Sequence, residues 1–176
     1  MSSSPRIDPT AFIAPTAVVL GDVTLGARAS VWYLSVVRGD MAPISIGADS
    51  NIQDGTIVHV DEGVPCTIGE RVGVGHRVIL HGCTVEHDSL IGMGSVLLNG
   101  VRIGTGSVVA AGAVIPEGMQ VPPGSLVMGV PGRIVRQVDA ALAERIAVTW
   151  QHYVEQSRAH RAGTFPLEGA PGAHRS

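Results

Sequence analysis

Residues 90–115 read LIGMGSVLLNGVRIGTGSVVAAGAVI, and within them Ile91, Leu97, Ile103, Val109 and Ile115 stand six residues apart. A helix repeats its apolar residues at spacings of three and four, and a half-buried strand at a spacing of two. A period of six fits neither. The series extends back through Val85, Leu80, Val74, Ile68, Val58, Ile52, Ile46, Val37, Val31, Leu25, Val19 and Ile13, and forward through Val121 and Val127. Gly or another small residue often follows the aliphatic, as in IGADS, IGERV, IGMGS and IGTGS. Glycine there allows a tight bend between short strands. A sustained six-residue period of aliphatic and small residues is the signature of a parallel β-helix.

On these units the chain resembles the hexapeptide-repeat family. The resemblance implies an all-β solenoid, a left-handed parallel β-helix of triangular section in which three units close one coil. The handedness is taken from the resemblance, because ordinary parallel crossovers are right-handed.

Composition agrees with a core of this kind. Of 176 residues, 45% are apolar but only 3% aromatic, so the interior rests on Val, Ile, Leu and Ala. The 23 glycines and 11 prolines are spread along the chain, as many regular turns require. All 12 basic residues are arginine, which excludes lysine Schiff-base chemistry. A net charge of -3 without a basic run disfavours nucleic-acid binding. No apolar stretch reaches the ~20 residues of a membrane span. The start, MSSSPRIDPT, lacks the charged-then-apolar pattern of a secretory signal. Cys66 and Cys83 are too few for a disulfide framework and read as two reduced thiols, which suits a cytoplasmic protein.

Three steps break the period. Three extra residues fall between Val37 and Ile46, around Asp40–Pro43, and four between Val58 and Ile68, in VDEGVPC; one is missing between Leu80 and Val85. The two insertions read as loops bulging from corners of the coil, where function concentrates on a rigid scaffold. Counting faces through these breaks puts Val19, Val37, Val58, Leu80, Leu97 and Ile115 on one face. His59 follows Val58 and His81 follows Leu80, so the two stack one coil apart, with Arg38 in the same column. Stacked strands lie about 4.8 Å apart, a spacing that lets two imidazoles reach one ion. His76 is the second residue after Val74, on another face, and stacks on Asp54, with Gln53 beside it. Neutral imidazole is the commonest metal ligand, and three ligands with an open position make a catalytic zinc site. The two columns are not on one face; a threefold partner could bring them to one ion. His87 falls in a turn, His152 and His160 on a helix and His174 in the tail; all four read as structural.

After residue 136 the pattern changes. Val138, Leu142, Ile146, Trp150 and Tyr153 form one face of an amphipathic helix over 137–162, with Asp139 as N-cap. The expected division is therefore a β-helix over 1–136, this helix, and a tail over 163–176.

The segments VVRGD, SNIQDG, VHV, VGHRVILHG, LIGMGS and LVMGVPGRIVR follow one another in order between residues 36 and 136. With them the chain resembles the γ-class carbonic anhydrases and their close relatives. The resemblance implies a homotrimer with a metal at each subunit interface. His59 and His81 would come from one subunit and His76 from the next. It implies an intersubunit ion pair of Arg38 with Asp54, an interface carboxylate at Asp40, and Gln53 orienting metal-bound solvent. Glu62, three residues after His59, would be the proton shuttle, and Asn99 and Tyr153 pocket residues. Met41 stands where the family carries a glutamate, and the insertion after His59 is short. The implied activity is reversible hydration of CO₂ to bicarbonate by a metal-bound hydroxide. Zn²⁺ lowers the pKa of bound water to about 7; Fe²⁺ or Co²⁺ fits the same ligands. Two other readings stay open. One is CoA-dependent acyl transfer or thioester hydrolysis with a histidine base, and the other a non-catalytic trimeric scaffold with a structural metal.

Overall fold

The structure is a computed structural model that describes residues 4–167. It is a parallel β-solenoid of about seven coils. Strands of two or three residues on successive faces, such as Leu90–Ile91, Val96–Leu97 and Arg102–Ile103, recur in register one coil later. One face forms an eight-stranded sheet, and the other two are joined in an eleven-stranded sheet through the long strand Val36–Ile46. The six-residue aliphatics fill the interior. From Leu25 to Val127 none of them is more than 4% exposed. The interior cluster contains no aromatic side chain.

The glycines that follow the inward aliphatics do a different job from the one expected. Left-handed backbone falls on the third residue after the aliphatic, at Gly94, Gly106, Gly112 and Gly124 (φ 68 to 70°), and on Asp49, Arg71 and Arg77 at other corners. Gly92 and Gly104 do not have positive φ. They are small because the next coil runs directly above them. A Cβ on Gly92 would stand 2.4 Å from the Ala111 amide nitrogen, and one on Gly104 would stand 2.5 Å from that of Pro123.

The first insertion is not a loop. Val36–Ile46 is one continuous strand of 11 residues, paired along most of its length with Val18–Leu25. The extra residues are absorbed by a register shift between Gly21 and Val23. There a Cβ on Gly21 would lie 2.2 Å from the Gly39 carbonyl oxygen, so the two chains close around the corner together. The second insertion does leave the coil, as a tight turn closed by a bridge between Asp61 and Val64.

The last coil ends in a hairpin, because Arg133–Gln137 turns back antiparallel on Ser125–Met128. The helix therefore begins later than the sequence pattern suggests, at Ala140, and runs to Arg161. Asp139 caps it, accepting from the Leu142 amide at 2.9 Å. Val138, Leu142, Ile146 and Trp150 pack on Leu90, Val108 and Leu126 of the eight-stranded face. Near its C-terminal end Tyr153 and His160 close on Trp32, with ring centroids 5.2 and 4.9 Å away. His160 Nδ1 lies 2.9 Å from the Tyr33 hydroxyl, and His87 Nδ1 accepts from the Glu70 amide at 3.0 Å, so both rings serve the fold. His174 and much of the expected tail lie outside the described residues. No helix among the described residues is long and apolar enough to cross a membrane.

Candidate functional site

His59 ends the strand Ile57–His59 and His81 ends Ile79–His81 one coil above it, and the two residues pair directly in register. Their side chains are half-buried. His59 Nδ1 and His81 Nε2 stand 3.2 Å apart. Two nitrogens bound at about 2.0–2.1 Å to one tetrahedral ion stand roughly 3.3 Å apart.

The partners of the other ring nitrogens decide what these two atoms carry. His59 Nε2 faces Asp40 Oδ1 at 3.1 Å. A carboxylate oxygen only accepts, so the His59 proton sits on Nε2 and Nδ1 is bare. His81 Nδ1 faces Asn99 Oδ1 at 2.8 Å. Asn99 is itself oriented, because its Nδ2 donates to Asp61 Oδ2 at 2.7 Å. The Asp61 carboxylate thus fixes the Asn99 amide, Asn99 fixes the His81 proton on Nδ1, and Nε2 is bare. With both rings neutral, two lone pairs at this separation repel unless a proton or a metal ion lies between them. Asp40 is in turn bound by the Arg38 guanidinium. Partial desolvation works against its charge, but the hydrogen bonds from Arg38 and His59 hold its carboxyl below the ordinary range.

His76 occupies the corner between the eight-stranded face and the face that carries Ile79. It follows the same rule: Nδ1 lies 2.9 Å from Asp54 Oδ2, which leaves Nε2 bare. The Tyr153 hydroxyl approaches that nitrogen at 3.5 Å, a length at which little hydrogen bonding remains. Burial, helped by the Asp54 charge, pushes the Tyr153 phenol up to about 12, so it keeps its proton. Gln53 is 5% exposed and donates through Nε2 to Asn51 Oδ1 at 3.0 Å. Its side-chain oxygen Oε1 accepts nothing among the described residues, and Asn51 Nδ2 is buried without a partner.

Each of the three imidazoles thus has one nitrogen tied to an acceptor and one left free, which is the state of a metal-ligating histidine and its supporting acceptor. The donor set fits a divalent cation held by neutral nitrogen. One chain does not assemble it. No group of three His, Cys, Asp or Glu side chains able to hold an ion comes together among the described residues. His76 stands at the start and His81 at the end of one rung, with four residues of chain between them.

The structure separates the other expected site residues. Asn99 belongs with His81, whereas Tyr153 and Gln53 belong with His76. Arg38 and Asp54 do not meet inside one chain; each is occupied locally, by Asp40 and by His76. Glu62 is exposed at the tip of the Asp61–Val64 turn and forms no side-chain hydrogen bond. Sequence reading missed Asp61 and Asn51. Asp61 reaches Asn99 across 38 positions of chain, and no repeat marks it.

Between the two histidine columns lies an outward ladder of aliphatics. Val18, Val36, Ile57, Ile79, Val96 and Val114 stack in register over successive coils. Val18, Ile57 and Ile79 are 45%, 37% and 41% exposed. A continuous apolar stripe of this kind marks a contact surface.

Cys66 and Cys83 stack inside the coil with sulfurs 3.9 Å apart and no disulfide. The neighbouring Cys66 sulfur and burial push the Cys83 thiol up.

Fold and site define a hexapeptide-repeat β-helix protein with a histidine cluster at the edge of one face. Residues 82–117 match the family model described as bacterial transferase hexapeptide (six repeats). A relative from Methanocaldococcus jannaschii bearing the name "Probable carbonic anhydrase" is 52% identical over 145 residues, 82% of this chain and 91% of that protein. The carbonic anhydrase of Geobacillus kaustophilus is 45% identical over 162 residues, 90% of this chain and 87% of that protein. The crystal structure of a hexapeptide transferase family protein from Anaplasma phagocytophilum superposes with a TM-score of 0.86 at 37% identity, covering 89% of this chain and 92% of that one. The chain belongs to the γ-class carbonic anhydrase family of hexapeptide-repeat proteins.

Proposed function

We propose that the protein is a metal-dependent carbonic anhydrase whose site forms between copies of the chain in a homotrimer. The reading is carried by the three imidazoles, each with one nitrogen held by an acceptor and the other bare. A threefold rotation would bring the His76 corner of one copy to the His59–His81 edge of the next and bury the ladder between them. Arg38 and Asp54 stand on those two edges, so each could gain the other as a partner across the contact.

When bound, Zn²⁺, or Fe²⁺ or Co²⁺ on the same ligands, acts as a Lewis acid that makes water a nucleophile near neutral pH. The chain's own residues do the rest. Asp40, Asp54 and the Asp61–Asn99 pair hold the protons of the three imidazoles on the outer nitrogens and so aim the inner ones. Gln53 offers a free side-chain oxygen beside His76 to orient a water. Tyr153, kept as a phenol, offers a donor there. Glu62, exposed on its turn, is positioned to carry the released proton to solvent. CO₂ is small and apolar and needs no charged pocket to enter.

Metal analysis with stopped-flow CO₂ hydration, on protein purified without a polyhistidine tag, tests the reading. One ion per chain, with activity lost to a chelator and regained with metal, is expected. A metal-loaded trimer that does not hydrate CO₂ would be the scaffold, and a metal-free protein that consumes acyl-CoA would be the acyltransferase or thioesterase.

The acceptor network carries its own prediction. Asn99→Ala removes the group that holds the His81 proton, and supporting acceptors of this kind are worth about 10–100-fold in metal affinity. Competition with a chromogenic chelator measures the loss. Asp61→Leu should leave Asn99 in place but free to flip, and ¹⁵N shifts of the metal-free protein should then show His81 as a mixture of tautomers. A single unchanged tautomer would show that Asp61 does not orient the relay.

A further inference from the structure

A trough of about 550 Å³ runs between the eight-stranded face and the C-terminal helix. That is the size of a site for a small organic molecule, and far more than CO₂ requires. Its floor is the column of residues directly after the inward aliphatics: Gly75, Gly92 and Ala110, one per coil. None of them projects more than a methyl group. The same column carries a long side chain at each end, Gln53 above and Met128 below. From Gly75 to Met128 is three coil steps, or about 14 Å. The side walls are aliphatic, from Leu90, Val108 and Leu126 on the sheet and Leu142 on the helix.

The two ends differ. At the upper end stand Gln53, with its unpartnered side-chain oxygen, and His76 and Tyr153. At the lower end stand two guanidiniums, Arg136 and Arg145. Arg136 is ion-paired through Nη1 with Asp139 and donates from the same nitrogen to the Gln137 carbonyl, while its Nε and Nη2 donate to no acceptor among the described residues. Arg145 forms no salt bridge among the described residues. An apolar channel that ends at the unpaired Arg145 and at the Arg136–Asp139 pair, with net charge of one, suits an amphipathic anion, whose body replaces water on the aliphatic walls while its charge meets the guanidiniums.

We infer that this trough binds an amphipathic organic carboxylate, a medium-chain aliphatic acid in chemical class. The carboxylate lies at Arg136 and Arg145, and the chain runs over Gly75, Gly92 and Ala110 toward His76. This binding needs neither a metal nor CO₂ chemistry, although the far end of the trough opens on Gln53, His76 and Tyr153 of the site proposed above.

Isothermal titration of the full chain with decanoate below its micelle concentration, with and without chelator, tests the inference. Saturable binding of one decanoate per chain is expected in both conditions. Arg145→Gln, at an exposed helix position, should weaken it by about tenfold or more, since one charge-assisted contact is lost. Decanol, with the same chain and no charge, should bind both proteins alike. Ala110→Phe should abolish binding by blocking the floor, with wild-type oligomeric state and thermal midpoint as its control. Ala110 already carries a Cβ, which Gly92 could not, and Met128 one coil on bears a long side chain at the same position. No saturable binding to the assembled protein, as when a neighbouring copy fills the trough, would overturn the inference. So would equal decanoate affinity in wild type and Arg145→Gln.

Discussion

On the shared-site proposal, His59→Ala and His76→Ala should each be inactive alone and should recover CO₂ hydration when unfolded and refolded together. Each substitution strips one ligand from every site in its own trimer. In a mixed trimer some interfaces join a subunit with intact His59 and His81 to a neighbour with intact His76. With random mixing about a quarter of interfaces would have both in the required order, because the proposed contact is head-to-tail around a threefold axis. Metal content and activity should therefore return to about that fraction. His59→Ala mixed with His81→Ala should restore nothing, since those two imidazoles stack on one chain, 3.2 Å apart. Equal failure of both mixtures, with hetero-trimers confirmed by native mass spectrometry, would overturn the shared site.

Ile79→Asp should disassemble the proposed trimer. Ile79 sits in the middle of the outward ladder and is 41% exposed in one chain, with Ile57 one coil below it. A threefold contact would gather three aspartates in a dry, apolar setting. Removing each such charge from water costs several kcal/mol even after relaxation, and here no partner repays it. The expected product by analytical ultracentrifugation is a folded monomer with native far-UV circular dichroism, no CO₂ hydration and weakened metal binding, although all three histidines are present. The interior is untouched, because Ile79 points away from Leu80 and its buried column. Sedimentation of the variant like wild type would place the assembly contact on another face.

Much of the fold and of the histidine arrangement was legible before any coordinates. A period of six leaves one aliphatic per strand to point inward, and the phase of that series carries through the insertions. It put His59 over His81 and Asp54 over His76, and both stacks are present. The phase did not reveal how the insertions are spent. The residues around Asp40–Pro43 became part of one long strand, because Val18–Leu25 offered a second strand to pair with and a shift at Gly21 could take up the difference. Nor did it reveal which glycines bend. The tight ones are small for lack of room above them, a clash between coils that a linear pattern does not display.

The sequence by itself determined the solenoid, its aliphatic core, the columns of the three histidines and the family. These depend on residues six or one coil apart, so they repeat and can be counted. Only the tertiary structure decided which nitrogen of each ring is free, through Asp40, Asn99 with Asp61, and Asp54. It alone also showed the trough under the helix and the exposed ladder between the histidine columns. Those features arise where side chains from unrelated stretches meet across a corner or across two packed elements. Such meetings are set by packing in three dimensions and leave no period in the chain.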